Sequence, residues 1–146
     1  MEVVNMEFCV FLNFNGNCRD ALNYYAGIFG VEILDVLTYG DMEPADEAAA
    51  SFLPDHVKNY IAYSELHIFG NRLCFSDIPP EECLAVGNNV CIAVMSQDPD
   101  EIMKLYDKLK VGATIQMELA ETVWSKGYAE LTDKFGIHWK LNLCCQ

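Results

Sequence analysis

Apolar and polar positions follow one order along this chain, and the order is used twice. Phe8-Cys9-Val10-Phe11-Leu12 is a short β-rich run and predicts a strand. Asn13 to Gly16 turn the chain, and Asn17 or Asp20 is placed to cap a helix. From Arg19 to Phe29, the residues Ala21, Leu22, Tyr25, Ile28 and Phe29 recur at helical spacing, and Gly30 supplies a stop. Val31 to Tyr39 reads as a second strand. Gly40 to Pro54 is acidic and alanine-rich, an irregular excursion with room for one helical turn. Asn59 to Phe69 predicts a third strand with Ser64, Leu66 and Ile68 on one face and Tyr63, Glu65 and His67 on the other. Gly70-Asn71 is a hairpin signal, and Arg72 to Ser76 returns as a fourth strand.

The second half repeats this order. Asn89 to Met95 predicts a strand, and Ser96 or Asp98 with Pro99 opens a helix striped by Ile102, Leu105, Tyr106 and Leu109. Gly112 ends it, Ala113 to Met117 is a strand, and 121–127 is a loop. Tyr128 to Thr132, a turn at Asp133 to Gly136, and Ile137 to Leu143 form the closing hairpin. Tyr63-Ser64-Glu65-Leu66 and Tyr128-Ala129-Glu130-Leu131 are the clearest copies. A duplicated unit of this kind buries its apolar face by packing with its copy. The expected architecture is α+β: two tandem βαβββ modules, one over about 6–78, a linker at 79–88, and one over about 89–144.

Composition narrows the partners. The chain has 146 residues and 52% hydrophobic content, enough for one globular domain spanning 1–146. Nine Lys and Arg against 22 Asp and Glu give a formal charge of −13. That field repels phosphate backbones and anionic lipid, so neither nucleic acid nor a membrane is expected as a partner. No apolar run approaches the roughly 20 residues of a spanning helix, and the first seven residues lack a secretory pattern. Seven scattered cysteines with no Cys-x-x-Cys spacing suit neither a disulfide framework nor a zinc site. Cys9, Cys74 and Cys91 lie in apolar runs and are expected to act as small hydrophobes, and Cys144-Cys145 as a fraying tail. These cysteines point to a reducing, cytoplasmic setting.

Several segments together resemble the PhnB-like family of the vicinal oxygen chelate superfamily, which includes glyoxalase I, bleomycin-resistance proteins and extradiol dioxygenases. They are the stretch from Leu12 to Leu22, Glu65-Leu66-His67-Ile68-Phe69-Gly70-Asn71-Arg72-Leu73, Glu121 to Tyr128, and Leu131 to Trp139. The resemblance implies sheets curled around a shared cavity with helices outside, a small-molecule ligand, and a homodimer. Many such proteins hold a divalent metal by His or Glu on the first and last strands of each module. The corresponding positions here align to Val10, Cys74, Val90 and Lys140, and a one-residue shift brings in Cys9 or Cys91. Neither set suits an oxygen-chelated ion, so no metal or other cofactor is expected. A methyltransferase label attached to some PhnB-like chains finds no glycine-rich nucleotide loop here.

The candidate chemistry falls on the polar faces of the strands. Glu65 and His67 point the same way and make a general acid/base pair expected to titrate near neutrality, or else an ordinary polar strand face. Arg72 and Lys140 can hold an anion, or can be spent on salt bridges, Lys140 to Glu65 or Glu130. His138 shares the face of Lys140. Trp124 and Tyr128, with Ser125, form an aromatic loop suited to stacking on a ligand or to sealing a core. His56 is expected to be solvent-exposed. Three functions remain open: lyase- or isomerase-type chemistry, sequestration of a ligand, and a scaffold without chemistry.

Overall fold

The computed structural model describes residues 5–42 and 53–144. Most of the acidic excursion, as well as Cys145, therefore lies outside the described residues. The chain divides into two units, Met1–Leu84 and Ala85–Gln146. Unit 1 holds β1 (Val10–Phe14), α1 (Cys18–Phe29), β2 (Leu34–Thr38), a 3-10 turn (Gly40–Met42), α2 (Asp55–Lys58), β3 (Ile61–Ile68) and β4 (Asn71–Asp77). Unit 2 holds β5 (Ile92–Ser96), α3 (Pro99–Leu109), β6 (Thr114–Ala120), β7 (Gly127–Thr132) and β8 (His138–Leu143). Each makes one four-stranded sheet, ordered β1-β4-β3-β2 and β5-β8-β7-β6. In both, the first strand runs parallel to the last and the other pairings are antiparallel. The duplication inferred from sequence is thus two copies of one α+β module.

Strand alternation decides which face is covered. In unit 1 Leu12, Phe14, Leu66, Ile68, Leu73 and Phe75 are buried, together with Ala21, Leu22 and Tyr25 of α1. Phe14 stacks on Phe75 at 6.1 Å, and Tyr25 tilts against the same ring at 5.8 Å. Unit 2 repeats this with Ile102, Leu105 and Leu109 of α3 and with Ala129, Leu131, Trp139 and Leu141 of the sheet, all buried. The opposite, open face of each sheet bears Tyr63, Glu65 and His67 in unit 1 and Tyr128, Glu130 and Thr132 in unit 2.

Each unit is tied internally by a buried aspartate. In unit 1 Asp77 Oδ1 accepts from the backbone N–H groups of Gly16 (2.7 Å) and Cys18 (3.0 Å), and its Oδ2 accepts from Ile61 N–H (2.9 Å). It therefore caps α1 from the far end of β4. Asn17 makes no side-chain cap, so the local cap expected from sequence is replaced by a long-range one. In unit 2 Asp133 accepts from Phe135 N–H (2.8 Å), Ile137 N–H (3.1 Å) and the Trp139 indole Nε1–H (2.8 Å), closing the β7–β8 hairpin. The start of α3 matches expectation, with Asp98 accepting from Asp100 N–H at 2.9 Å.

Other expectations shift by a few residues. The β3–β4 turn is Phe69-Gly70, not Gly70-Asn71, and both residues have positive φ (50° and 78°). Asn71 instead starts β4 and donates its side-chain amide to Phe69 O at 3.1 Å. β2 is shorter than the expected Val31 to Tyr39, and inside it Asp35 adopts φ 56° where the register with β3 slips. Cys9 and Cys91 are exposed while Cys74 is buried, so of these three Cys74 alone behaves as a core thiol, as Cys18 also does. Cys144 is not frayed: its N–H donates to Ser96 O at 2.8 Å. His56 is exposed, its ring edge-on to Tyr60.

Candidate functional site

On unit 1 the open face gathers four polar side chains around one carboxylate. Glu65 pairs across the ladder with Cys74, and His67 with Arg72, so the hairpin sets all four on the same face. Glu65 Oε2 accepts from the Tyr63 hydroxyl at 2.5 Å, and Oε1 lies 2.7 Å from His67 Nε2. Arg72 Nε stands 3.7 Å from Glu65 Oε2, while its Nη1 donates to Glu7 Oε1 at 2.9 Å. Tyr63 also touches Cys74 Sγ at 3.6 Å and meets the Phe11 ring edge-on at 5.9 Å.

This arrangement separates the roles of Glu65 and His67. The Tyr63 hydroxyl first, then the His67 hydrogen bond and the Arg72 charge, hold the Glu65 carboxyl below its ordinary range. The expectation that Glu65 titrates near neutrality is therefore corrected, because its hydrogen bonds go to the charged form. Glu65 is also well covered, at 7% exposure. The His67 side chain is about half exposed, at 51%. A fixed carboxylate facing Nε2 keeps the proton of the neutral ring on that nitrogen and leaves Nδ1 as the acceptor. The Tyr63 hydroxyl is held protonated, chiefly by its hydrogen bond to Glu65.

Arg72 is not a free anion site: Glu7 and then Glu65 raise its pKa by their charges. Glu7 had no signal in the sequence, since the chain ahead of β1 shows no periodicity. Lys140 likewise has its Nζ 3.8 Å from Glu130 Oε1, the salt bridge weighed from the sequence.

Unit 2 reproduces the plan with altered chemistry. By register Glu130 stands opposite Lys140 and Thr132 opposite His138, so Lys140 occupies the place of Cys74 and Thr132 the place of His67. The Tyr–Glu pair survives, with Tyr128 donating to Glu130 Oε1 at 2.7 Å. Burial, then Glu130, pushes the Tyr128 pKa up to about 12. His138 Nδ1 lies 2.8 Å from Thr132 Oγ1, which also accepts from Gln116 Nε2 at 3.0 Å. A depression of about 300 Å³ here is lined by Asn89, Cys91, Gln116, Glu130, His138 and Lys140. Gln116, inside β6, and Asn89, ahead of β5, carry no signal in the sequence, because isolated polar residues there have no distinctive spacing.

Trp124 and Tyr128 do come together, edge-to-face at 5.5 Å. Trp124 is 62% exposed. Ser125 anchors the loop from below, its hydroxyl donating to Asn142 Oδ1 at 2.6 Å and standing 2.9 Å from Gly127 O. A hollow of about 390 Å³ runs along Trp124, Ser125, Lys126, Asn142 and Leu143. The loop is thus an exposed aromatic platform on a fixed base. The candidate residues fall into separate groups: Glu65, His67 and Arg72 on one unit, and His138 with Lys140, then Trp124 with Tyr128, on the other.

The divalent ion implied by the resemblance requires oxygen or imidazole donors on the first and last strands of each unit. Register places Phe11 opposite Cys74 and Ala93 opposite Lys140, which corrects the alignment to Val10 and Val90. Phe11 and Ala93 offer no donor, Lys140 brings a cation, and burial pushes the Cys74 thiol pKa up, away from thiolate. Among the described residues no three His, Cys, Asp or Glu side chains converge on a point where an ion could sit. The residues present do not fit that ion.

Comparison with known proteins accords with this geometry. Protein YjdN of Escherichia coli (strain K12) is 31% identical over 144 residues, 97% of each chain. The crystal structure of protein PA1353 from Pseudomonas aeruginosa matches with a TM-score of 0.79 at 28% identity, over 94% of this chain and 97% of that one. A PhnB protein from Bacillus cereus shares the fold at a TM-score of 0.73 and 22% identity, over 95% and 100% of the two chains. Residues 11–141 match the profile of one family. The chain belongs to the Glyoxalase/Bleomycin resistance protein/Dioxygenase superfamily.

Proposed function

We propose that this protein transforms a small molecule by proton transfer, in lyase- or isomerase-type chemistry, with His67 as the acid/base group. The observation that carries this reading is the 2.7 Å contact between His67 Nε2 and Glu65 Oε1, on a carboxylate whose other oxygen is held by Tyr63. Glu65 orients the ring and stabilises the imidazolium that forms when Nδ1 takes a proton. Tyr63 keeps Glu65 in place and charged. With Arg72 and Lys140 both next to carboxylates, a strongly anionic substrate is disfavoured and a neutral carbonyl compound fits better.

The test is proton exchange. The protein is incubated in D2O with a panel of neutral hydroxyketones and dicarbonyl compounds, and deuterium entering next to the carbonyl is followed by NMR. Exchange by the wild type that is lost in His67→Ala, at unchanged melting temperature, supports the proposal. Exchange that persists in His67→Ala overturns it.

A second reading is sequestration without turnover, favoured by the exposed Trp124 above its hollow. It predicts panel members that quench tryptophan emission but exchange no protons. In either case we read 1–146 as one domain of two modules. Six free cysteines among the described residues support a reducing cytoplasm, and the family likeness supports a homodimer.

A further inference from the structure

We propose that the depression on the open face of unit 2 binds a zwitterionic α-amino acid with a polar side chain, its ammonium on Glu130 and its carboxylate on Lys140. Both residues line the hollow of about 300 Å³, a volume suited to a small metabolite. Lys140 Nζ stands 3.8 Å from Glu130 Oε1, beyond hydrogen-bond length. The ammonium therefore has no hydrogen-bond acceptor among the described residues. Glu130 Oε1 accepts from the Tyr128 hydroxyl at 2.7 Å, and Oε2 has no donor among the same residues.

The other copy of the module lacks this opening. In unit 1 the equivalent carboxylate of Glu65 has both oxygens taken, Oε1 by His67 at 2.7 Å and Oε2 by Tyr63 at 2.5 Å. Arg72, the cation beside it, is itself held by Glu7 at 2.9 Å. Unit 2 keeps the Tyr–Glu pair but has Thr132 in the place of His67 and Lys140 in the place of Cys74. That exchange takes the imidazole off the carboxylate and leaves one oxygen and one ammonium uncommitted.

Such a pair selects by charge. A lone anion at Lys140 meets the Glu130 carboxylate, and a lone cation at Glu130 meets the Lys140 ammonium. A ligand carrying both charges on one carbon gives each its opposite. The pair is partly exposed to water, where such contacts are weak, so it parts readily for the ligand. Beside it Gln116 donates its amide to Thr132 Oγ1 at 3.0 Å, which leaves its carbonyl oxygen open. His138 Nδ1 lies 2.8 Å from the same hydroxyl, which leaves Nε2 open. These groups suit a side chain bearing a hydroxyl or carboxamide. The site is independent of His67 and of any turnover there.

The protein is titrated by calorimetry with L-serine, L-asparagine and L-glutamine. It is also titrated with 4-carbamoylbutanoate and 4-aminobutanamide, which are glutamine stripped of its ammonium and of its carboxylate. Saturable binding of at least one amino acid is expected, weakened about tenfold or more in Lys140→Met and in Glu130→Gln. Glu130→Gln retains an oxygen for Tyr128, and Lys140 is about half exposed, so both variants are expected to fold. Lys104→Met removes the same charge from an exposed position on α3 and is expected to bind as the wild type does. Three outcomes overturn the proposal: no saturable binding of any of the three amino acids, unchanged affinity in either hollow variant, or stripped analogues that bind as tightly as glutamine.

Discussion

Glu65 and His67 sit two residues apart on β3 with 2.7 Å between Oε1 and Nε2, and the Tyr63 hydroxyl pins the opposite carboxylate oxygen. The three side chains make a line along one strand, in which only His67 is substantially open to solvent. A proton donor to Glu65 on each side keeps it charged.

The linkage to pH comes from that charge. Because the folded Glu65 carboxyl titrates below its ordinary value, its contacts stabilise the fold above about pH 4.3, the free glutamate value. That contribution disappears as pH falls through the depressed value. Glu65→Gln is expected to flatten the acid limb of a stability curve measured by urea unfolding at stepped pH. An acid limb identical in the two proteins would refute the assignment.

Asp77 is predicted to be among the costliest positions in unit 1. Asp77→Ala strands the N–H groups of Gly16, Cys18 and Ile61 without their acceptor. Unsatisfied buried donors cost about 1–3 kcal/mol each, partly recovered by relaxation. A loss of roughly 3 kcal/mol is expected in urea unfolding, with α1 fraying first in hydrogen exchange.

Gly16 and Gly30 both have positive φ, yet they differ in surroundings. A methyl on Gly30 meets nothing within 4 Å, whereas one on Gly16 lies 2.8 Å from the Tyr60 hydroxyl. Gly30→Ala should cost about 1 kcal/mol from backbone strain alone. Gly16→Ala should cost distinctly more, on the order of 2–3 kcal/mol, and thermal unfolding of the two variants ranks them directly.

The two tryptophans report on different places. Trp139 is buried against Asp133 and Trp124 is exposed. Acrylamide should quench the emission of Trp124 and spare that of Trp139, so Trp124→Phe should lose most of the quenchable signal. A small-molecule titration that shifts emission in the wild type should fail to do so in this variant.

The module order was legible because periodicity changes from helical to alternating at clear glycine and proline signals. Leu66 and Ile68 marked the covered face of β3, which put Glu65 and His67 together on the other. Long-range partners were not legible. Nothing near Cys18 announces that Asp77 caps its helix, and nothing near Arg72 announces Glu7. The Phe69-Gly70 turn was misplaced by one residue because an aromatic at positive φ defies turn preference; its ring meets Phe29 edge-on at 5.7 Å. The depressed Glu65 titration needed the position of the Tyr63 hydroxyl, which strand parity places only on the same face.

The parallel pairing of β1 with β4 also bears on how the chain is born. Asn13 waits for Ser76, 63 residues later, before its strand has a neighbour. At about 5–20 residues per second of translation, that delay is roughly 3–13 s. Throughout it Phe11 and its unpaired backbone emerge without cover, an invitation to a chaperone or to a neighbouring nascent chain. Synthesis, more than the finished molecule, is where this topology is most vulnerable.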